Sequence, residues 1–201
     1  MNLYYEPNNI EVGLDEAGRG CLFGPVFTAG VVWTDELHKD IKDSKRLNFK
    51  KRDEMKNYIL KNAISYSIEM IDNDYIDKYN ILQSTMEGWH KCIENIEKDI
   101  PIDTILVDGP NFYWYTNSEG IIPHVCVNNG DNKYISIAAA SILAKTHRDE
   151  YIDKLVDDNP ELEKYNLKKN KGYGTKDHIE AIQKYGITKW HRKTFGLCKE
   201  Y

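Results

Sequence analysis

Acidic side chains stand at three separated places where the hydrophobic pattern of this chain stops. Asp15 and Glu16 follow an alternating apolar run, Asp108 closes a second run, and Asp131 lies in an Asn-Gly-Asp turn. Carboxylate oxygens, with no histidine or cysteine at matching places, are the ligands that Mg²⁺ and Mn²⁺ prefer. A pair of such ions is the recurring device for hydrolysing phosphodiesters. The spacing therefore indicates a metal-dependent phosphoryl-transfer site, and solvated turn acids on an ordinary domain are the alternative.

Strands must position these acids. The first strand is expected to stop at Asp15 and Glu16, because neighbouring residues of a regular strand point to opposite faces and only a turning backbone would bring both to one site. Gly18 and Gly20 permit that turn. Further strands are predicted over residues 25–33, 63–71 and 102–108, with a shorter fifth strand over 121–127. If the first and fourth strands are parallel neighbours, their ends lie about 5 Å apart, within reach of one ion at Asp15 and Asp108.

Helical patterns fall between the strands. They cover residues 52–60, 74–96 with a break near Asn80, and 136–155, and Asn159-Pro160 ends the last of them. Two or three short helices are expected in the tail. This order of elements predicts an α/β fold with a mixed sheet. We expect one domain over residues 1–160 and a small helical extension packed on it over residues 161–201.

Composition narrows the class of protein. The 201 residues are 41% hydrophobic and 29% charged, no apolar stretch is long enough to cross a bilayer, and the N-terminus lacks the features of a signal peptide. We therefore expect a cytoplasmic protein with no membrane contact, and a monomer, because nothing suggests a coiled coil. The four scattered cysteines are typical of reduced, buried thiols.

The charge is distributed unevenly. Although the net charge is −5, residues 164–201 carry +7 and residues 1–163 carry −12. A basic tail beside a carboxylate centre fits a grip on a polyanion, and a solvated helix surface is the alternative.

Three other groups of residues invite a functional reading. Ser141 and Lys145 share a helix face, where packing or ordinary surface is expected and a role near phosphate is the alternative. The six histidines, His191 among them, show no metal-ligand spacing. The aromatic run at residues 112–115 could stack on bases, although a buried or interface cluster is favoured.

A series of short motifs extends over residues 12–195. They are Leu14-Asp15-Glu16-Ala17-Gly18-Arg19-Gly20, Asp43-Ser44-Lys45, Asn80-Ile81-Leu82-Gln83, Val107-Asp108-Gly109, Gly130-Asp131, Ser136 to Lys145, Arg148-Asp149, Lys171-Gly172-Tyr173-Gly174-Thr175 and His191-Arg192. Each motif is weak alone, but the set is specific. In content and order it resembles the ribonuclease HII family. Cys21, Trp89 and the aromatic run depart from the family pattern.

The resemblance implies a fold, a substrate and a site. The fold would be RNase H-like, with a mixed five-stranded sheet flanked by helices. The substrates would be RNA/DNA hybrids and duplex DNA with embedded ribonucleotides, nicked on the 5′ side to leave a 3′-hydroxyl and a 5′-phosphate. The metal-site acids would be Asp15, Glu16, Asp108 and Asp131, holding two ions of Mg²⁺ or Mn²⁺.

The resemblance also implies substrate contacts. Gly18, Arg19 and Gly20 would contact the ribose 2′-hydroxyl through their backbone, and Tyr173 would stack beside the junction with DNA. The 2′-hydroxyl is the group that distinguishes RNA from DNA. Ser44 and Lys45 would grip a phosphate, which fixes register without reading sequence.

Two other classes of function remain as alternatives to the endoribonuclease. A non-catalytic domain that binds RNA/DNA hybrids would keep the grip without the chemistry, although all four acids are present. A general DNA nuclease would cut an all-DNA duplex equally well.

Overall fold

A mixed five-stranded sheet forms the centre of the protein. The computed structural model describes residues 1–34, 38, 41 and 49–201. The strands of this sheet are β1 (Glu11–Ala17), β2 (Val26–Val32), β3 (Ser65–Ile71), β4 (Thr104–Asp108) and β7 (His124–Val127), in the spatial order β3-β2-β1-β4-β7. Strand β2 runs antiparallel to both of its neighbours, β1 and β3, whereas β1, β4 and β7 run parallel. The expected mixed sheet is thus confirmed.

The parallel pairing of β1 and β4 sets the position of the acids. Leu14 lies opposite Val107, so Asp15 and Asp108 follow at the same level of the sheet. The expectation that the first and fourth strands are neighbours is confirmed.

Helices cover both faces of the sheet. They are α1 (Phe49–Asn62), α2 (Asn73–Glu97), α3 (Ile135–Asp158), α4 (Leu167–Asn170) and α5 (Lys176–Tyr185), with 3₁₀ turns at Gly130–Asn132, Pro160–Tyr165 and Gly196–Glu200. α1 and α3 pack on the face that carries Ala29 and Val31, and α2 packs on the face that carries Val12 and Leu14. The sheet is therefore buried on both sides, which explains the nearly continuous apolar pattern of β4.

Close approach of α3 to β1 depends on small residues. A Cβ atom added at Gly13 would lie 2.3 Å from the carbonyl carbon of Ser136, inside any permitted contact. Ala138, Ala139 and Ala140 continue this close contact along the helix and are fully buried. The small apolar start of the helix seen in the sequence therefore has a packing role.

α2 contains the break expected near Asn80. Asn80 has φ 67° and ψ 166°, a non-helical conformation, and its side-chain oxygen accepts hydrogen bonds from the amides of Leu82 and Gln83. Asparagine tolerates a positive φ and caps the following turn, so the second half of α2 begins afresh at this residue.

The predicted fifth strand was wrong at its start. Gly120–Ile121 pairs with Thr116–Asn117 as a separate hairpin, strands β6 and β5, and β7 begins only at His124. Pro123, which has no amide hydrogen, separates the two, and its carbonyl accepts from Ile105 at the start of β4.

The C-terminal residues share a core with the main domain. Leu162, Tyr165 and Ile182 pack with Phe23 and with Ile152 of α3. The four cysteines are free; Cys21, Cys92 and Cys198 are buried as expected, but Cys126, on the edge strand β7, is exposed. No helix in the described ranges combines the length and hydropathy needed to cross a membrane.

Candidate active site

A cavity of about 230 Å³ opens at the carboxyl ends of β1 and β4. It is lined by Asp15, Glu16, Ala17, Gly18, Arg19, Gly20, Asp108, Ser141, Lys145 and Tyr173. The structure therefore brings together three of the four acids, the glycine-arginine-glycine segment and the tyrosine that the sequence singled out.

The expectation that the first strand ends at the acids was wrong. β1 continues to Ala17, and Asp15 and Glu16 still pair with Ala29 and Thr28 of β2. The neighbour on the other side, β4, ends at Asp108, so one edge of β1 is open at this level. This missing neighbour, rather than a turn in the backbone, gives both acids access to the cavity.

Asp15 is held in a buried, polar position. Its side chain is buried, and its carboxylate accepts hydrogen bonds from the amide of Glu16 at 2.7 Å and from the hydroxyl of Ser141. Its backbone carbonyl accepts from the indole nitrogen of Trp89 at 3.2 Å. Burial, and to a lesser extent repulsion from Glu16 and Asp108, raises the pKa of Asp15 well above its ordinary value. A bound cation would remove this penalty.

A hydrogen bond connects the side chain of Asp108 to the turn that contains Asp131. The amide of Gly130 donates a hydrogen bond of 2.6 Å to Oδ1 of Asp108, which orients that carboxylate. Asp131 is the next residue and is buried, and its Oδ1 accepts from the side chain of Asn132 at 2.9 Å. Asp131 does not line the cavity, so its predicted role as a metal ligand stays a prediction.

A buried arginine braces the glycine-arginine-glycine segment. Arg148 of α3 has no exposed surface, and its guanidinium donates to the carbonyls of Pro25 at 3.1 Å, Lys171 at 2.8 Å and Phe23 at 3.0 Å. Gly18, at φ +93°, lies directly on it, and an added Cβ would be 2.0 Å from Nε of Arg148. The guanidinium thus links α3 to residues 23–25 and to Lys171 beside the rim of the cavity.

A second buried arginine holds the other end of the same segment. Arg192 donates from Nε to the carbonyl of Gly24 at 2.8 Å and from one terminal nitrogen to the carbonyl of Arg19 at 3.0 Å. The side chain of Arg19 itself pairs with Glu16 at 3.4 Å. Arg192, from the sequence motif His191-Arg192, therefore holds the backbone of the Gly18–Gly20 segment in place through its hydrogen bond to Arg19.

Tyr173 forms the opposite wall of the cavity. It is 40% exposed, and the guanidinium of Arg148 and the ammonium of Lys145 each lie 5.9 Å from the centre of its ring. Burial of its hydroxyl, beside the thiol of Cys21, raises the pKa of Tyr173 to about 12. The hydroxyl therefore stays protonated at neutral pH and can donate a hydrogen bond.

Ser141 and Lys145 are the site residues that sequence reasoning undervalued. Ser141 packs on the sheet, as the preferred interpretation expected, and its hydroxyl bonds to Asp15 of β1. That interpretation missed that Ser141 and Lys145 also line the cavity. Lys145 forms an ion pair of 2.6 Å with Asp149, which also pairs with Arg52 at 3.3 Å. Their i, i+4 spacing was visible in the sequence, but the strand they face was not.

Other predicted contacts receive less support. Ser44 and Lys45 lie outside the described residues. In the tail, Lys168 pairs with Asp157, Lys171 with Asp153 and Lys176 with Glu180, so part of the positive charge is compensated within the protein. The polyanion grip therefore stays a prediction.

In the aromatic run, Phe112 is buried against Trp89, whereas Trp114 is 71% exposed. The run is therefore neither wholly a buried cluster nor wholly a surface one.

A larger cavity, of about 520 Å³, lies near the opposite end of β1 and is lined by residues such as Leu3, Trp33 and Ile64. Glu11, the one acid among its described lining residues, accepts hydrogen bonds from the amides of Tyr5 and Glu6. Because the smaller cavity gathers acids, a lysine and a tyrosine, we take it as the active site despite its size.

The residues of the smaller cavity fit a divalent cation. Its acids supply oxygen only. Burial and, after it, the negative charges of Glu16 and Asp108 raise the pKa of Asp15, and a cation would favour the ionised carboxylate against both. Within the described ranges, no three histidine, cysteine, aspartate or glutamate side chains are grouped so that they could hold a metal ion by themselves. That arrangement suits Mg²⁺, which proteins bind through one or two carboxylates together with substrate phosphates.

Similarity to solved structures defines the class. The chain resembles ribonuclease HII of Archaeoglobus fulgidus, solved in complex with PCNA, with a TM-score of 0.72 and 26% identity over 94% of this chain and 96% of that one. It also resembles Bst-RNase HIII, solved in complex with Mn²⁺, with a TM-score of 0.64 and 20% identity over 88% of this chain and 62% of that one, a likeness that shows the fold alone. The fold is RNase H-like, as expected, and carries a carboxylate-lined site.

Sequence relatives give the family. The ribonuclease HII family model matches residues 12–198. The Ribonuclease HII of Christiangramia forsetii is 46% identical over 198 residues, covering 98% of this chain and 96% of the relative, and that of Parabacteroides distasonis is 44% identical, covering 98% and 95%. The chain belongs to the ribonuclease HII family. It is a ribonuclease H, a metal-dependent endonuclease that acts on nucleic acid.

Proposed function

We propose that this ribonuclease H cleaves the RNA strand of RNA/DNA hybrids and nicks duplex DNA on the 5′ side of an embedded ribonucleotide. The observation that carries the proposal is the shared cavity, in which Asp15, Glu16 and Asp108 face the Gly18–Gly20 segment and Tyr173. Acids that suit phosphoryl transfer thus lie beside backbone groups that suit recognition of a sugar hydroxyl.

The catalytic acids would divide the work of holding metal. We propose that Asp15 and Asp108 bind the ions directly and that Glu16 and Asp131 complete the set. When bound, a pair of Mg²⁺ or Mn²⁺ ions would supply a lowered pKa for the attacking water and positive charge for the leaving oxygen. The amide of Gly130 and the hydroxyl of Ser141 orient Asp108 and Asp15 for this task.

Recognition of the substrate would use the rim of the cavity. The backbone of Gly18, Arg19 and Gly20 would read the 2′-hydroxyl, because backbone groups can contact the sugar whatever the base. Arg148 packs against Gly18 and Arg192 donates to the carbonyl of Arg19, so this backbone is held in place. Lys145, beside the acids and above the ring of Tyr173, would contact a phosphate. Ser44 and Lys45 are proposed as a further phosphate grip.

A nicking assay with three labelled duplexes tests the proposal. One duplex carries a single ribonucleotide, one is an RNA/DNA hybrid and one is all DNA, and each is incubated with Mg²⁺, with Mn²⁺ or with a chelator. We expect cutting of the first two duplexes with either ion, on the 5′ side of the ribonucleotide, leaving a 3′-hydroxyl and a 5′-phosphate. We expect no cutting of the all-DNA duplex.

The variant Asp108→Asn separates cleavage from binding in the same assay. It should lose cutting while keeping affinity for the duplexes. Equal cutting of the all-DNA duplex would favour a general nuclease over the proposal. An absence of cutting by the wild-type protein with both ions, together with unchanged binding by Asp108→Asn, would indicate a domain that only binds hybrids.

Tyr173→Ala is expected to reduce cleavage at a single ribonucleotide by about tenfold or more, since loss of stacking on an aromatic ring costs roughly 1–3 kcal/mol per base. Its affinity for duplex should change less, because phosphate contacts elsewhere provide most of the binding. Cleavage rates and dissociation constants measured on the same single-ribonucleotide duplex check this expectation.

Tyr173→Phe is the matched control, because it keeps the ring and removes the hydroxyl. If the hydroxyl donates to the substrate, this variant will show an intermediate loss. Equal reductions of cleavage and affinity in Tyr173→Ala would count against a role at the junction.

A further inference from the structure

The segment that follows Gly20 is enclosed by two parts of the C-terminal region. The amide of Leu22 donates to the carbonyl of Gly172 at 2.8 Å, and the carbonyl of Leu22 accepts from the amide of Arg192 at 2.9 Å. Isolated β-bridges pair Cys21 with Tyr173 on one side and Phe23 with His191 on the other. The geometry of Tyr173 relative to the Gly18–Gly20 segment therefore depends on how these two flanking parts are joined.

A pair of buried histidines joins them. His178, in the first turn of α5, and His191 both have no exposed surface, and their Nε2 atoms lie 3.2 Å apart. His191 also packs edge-on against Phe23, with ring centres 4.9 Å apart, and against Tyr165 at 5.1 Å. The rings are thus enclosed by apolar neighbours and contact one another through nitrogen.

The hydrogen-bond partners fix where each proton lies. The amide of Thr188 donates to Nδ1 of His191 at 3.0 Å, so this nitrogen bears a lone pair and the proton of the neutral ring is on Nε2. Nδ1 of His178 lies 2.9 Å from the carbonyl of Tyr173, which can only accept, so this nitrogen bears the proton of His178. Nε2 of His178 is then the acceptor for Nε2–H of His191, and each bond contains one proton.

Both rings must be neutral for this chain to exist. Burial lowers the pKa of His178, and burial together with the neighbouring His178 lowers the pKa of His191 to about 3. Neither ring therefore takes up a second proton at neutral pH. The hydrogen bonds then have one possible direction, with each donor pointing from Thr188 towards the carbonyl of Tyr173.

We propose that the His178–His191 pair is a positioning device that holds Tyr173 against the Gly18–Gly20 segment and thereby favours cleavage at single ribonucleotides. This inference rests on the proposed function, in which Tyr173 touches the junction between RNA and DNA. The histidines touch no substrate and act through the backbone carbonyl of Tyr173, the residue whose side chain does the reading. A long RNA/DNA hybrid presents no such junction at most cleavage positions, so its cleavage depends less on the placement of Tyr173.

Ring-nitrogen NMR of the wild-type protein tests the chain directly. We expect His191 protonated on Nε2 and bare on Nδ1, and His178 protonated on Nδ1 and bare on Nε2, at neutral pH. A charged ring, or the reverse tautomer of either ring, would overturn the proposal.

Kinetics of substitutions at His191 test its consequence. The quantity measured is the ratio of kcat/KM on a single-ribonucleotide duplex to kcat/KM on a long hybrid. His191→Phe keeps a ring against Phe23 but lacks the donor, and the ratio should fall by about tenfold, the size expected for the loss of one buried hydrogen bond. His191→Gln offers an amide N–H to His178 in place of Nε2–H and should recover most of the ratio.

Ile182→Ala is the control for a merely structural effect. Ile182 is fully buried in the same C-terminal core and makes no part of the hydrogen-bond chain. This variant should lower the midpoint of thermal unfolding and leave the ratio unchanged. If it lowers the ratio as His191→Phe does, or if folded His191→Phe keeps the wild-type ratio, the positioning role is refuted.

A second variant covers the case in which His191→Phe fails to fold. His178→Asn keeps an amide N–H for the carbonyl of Tyr173 and breaks the bond between the rings, so it should also lower the ratio, and an unchanged ratio would refute the role. A wild-type protein that cuts neither duplex would instead defeat the proposed function, and the junction role with it, even where the NMR tautomers agree with the chain.

Discussion

Replacing Asp15 by asparagine is expected to abolish cleavage while raising the midpoint of thermal unfolding in a chelator. The loss of activity should exceed the roughly 100-fold that removal of an outer hydrogen-bond partner costs at a metal site, because Asp15 is proposed to bind metal directly. Burial and the charges of Glu16 and Asp108 disfavour the anion of Asp15 and so raise its pKa. Removing this charge should therefore stabilise the folded protein. Asparagine keeps the shape and carries no charge.

The pH dependence of this gain has a defined sign. Because the folded protein raises the pKa of Asp15, the stability that its protonation provides is fully present below the ordinary aspartate pKa of about 3.9. That stability is lost as the pH rises through the raised pKa of the folded state. The difference in unfolding midpoint between variant and wild type should therefore be small in acid and largest near neutral pH. In a protein of this size, about 1 kcal/mol of free energy of unfolding corresponds to roughly 2–4 °C in the midpoint.

Thermal unfolding with and without Mn²⁺, beside the nicking assay, measures both effects. The wild-type midpoint should rise with Mn²⁺, since a ligand that binds the folded state stabilises it, and the midpoint of the variant should rise less. Asp158→Asn is the matched control, because this exposed acid forms an ion pair with exposed Lys154 and should change neither quantity. Retained cleavage by Asp15→Asn would remove Asp15 from the proposed metal site.

Gly18→Ala and Gly20→Ala should differ sharply although they belong to one motif. At Gly18 the new Cβ would lie 2.0 Å from Nε of Arg148, and φ is +93°, where a side chain costs about 1–2 kcal/mol even without a clash. Arg148 cannot yield easily, because three carbonyls hold its buried guanidinium. At Gly20 an added Cβ meets no atom within 4 Å.

Gly18→Ala is therefore expected to lower the unfolding midpoint by several degrees and to reduce single-ribonucleotide cleavage by about 100-fold, as a 1 Å misplacement of a positioning group can. Gly20→Ala should unfold like the wild type and serves as the stability control. Circular dichroism melts and the nicking assay measure the two quantities. Equal melting of the two variants would show that Arg148 does not restrain this segment.

The sequence predicted those parts of the site that local patterns determine. Alternation and apolar runs identified the strands that carry Asp15 and Asp108, and the helical pattern over residues 74–96 already included a break near Asn80. The end of β1 could not be predicted in the same way, because the access of Glu16 to the cavity depends on where the neighbouring strand β4 stops.

Long-range contacts were beyond local patterns for the same physical reason. Ser141 faces Asp15 only because α3 lies close to β1, and His178 meets His191 only because the chain folds around residues 21–24. The histidines of the sequence show no metal-ligand spacing, and two of them, His178 and His191, instead form a hydrogen bond with each other as neutral rings. Motif resemblance included Ser141 and His191 without explaining them, and it did not include His178.

The pairing of β1 with β4 also has a consequence for biosynthesis. Residues 11–14 meet residues 104–107, and the cavity is closed by Tyr173, so its parts leave the ribosome at widely separated times. A nascent chain that has emerged only as far as β3 has Asp15 and Glu16 but lacks Asp108. Distant pairings of this kind form late, after the entropy of loop closure has been overcome. With the acids in the catalytic roles proposed above, we therefore expect the nascent nuclease to be inactive and to acquire its cutting activity in a late folding step.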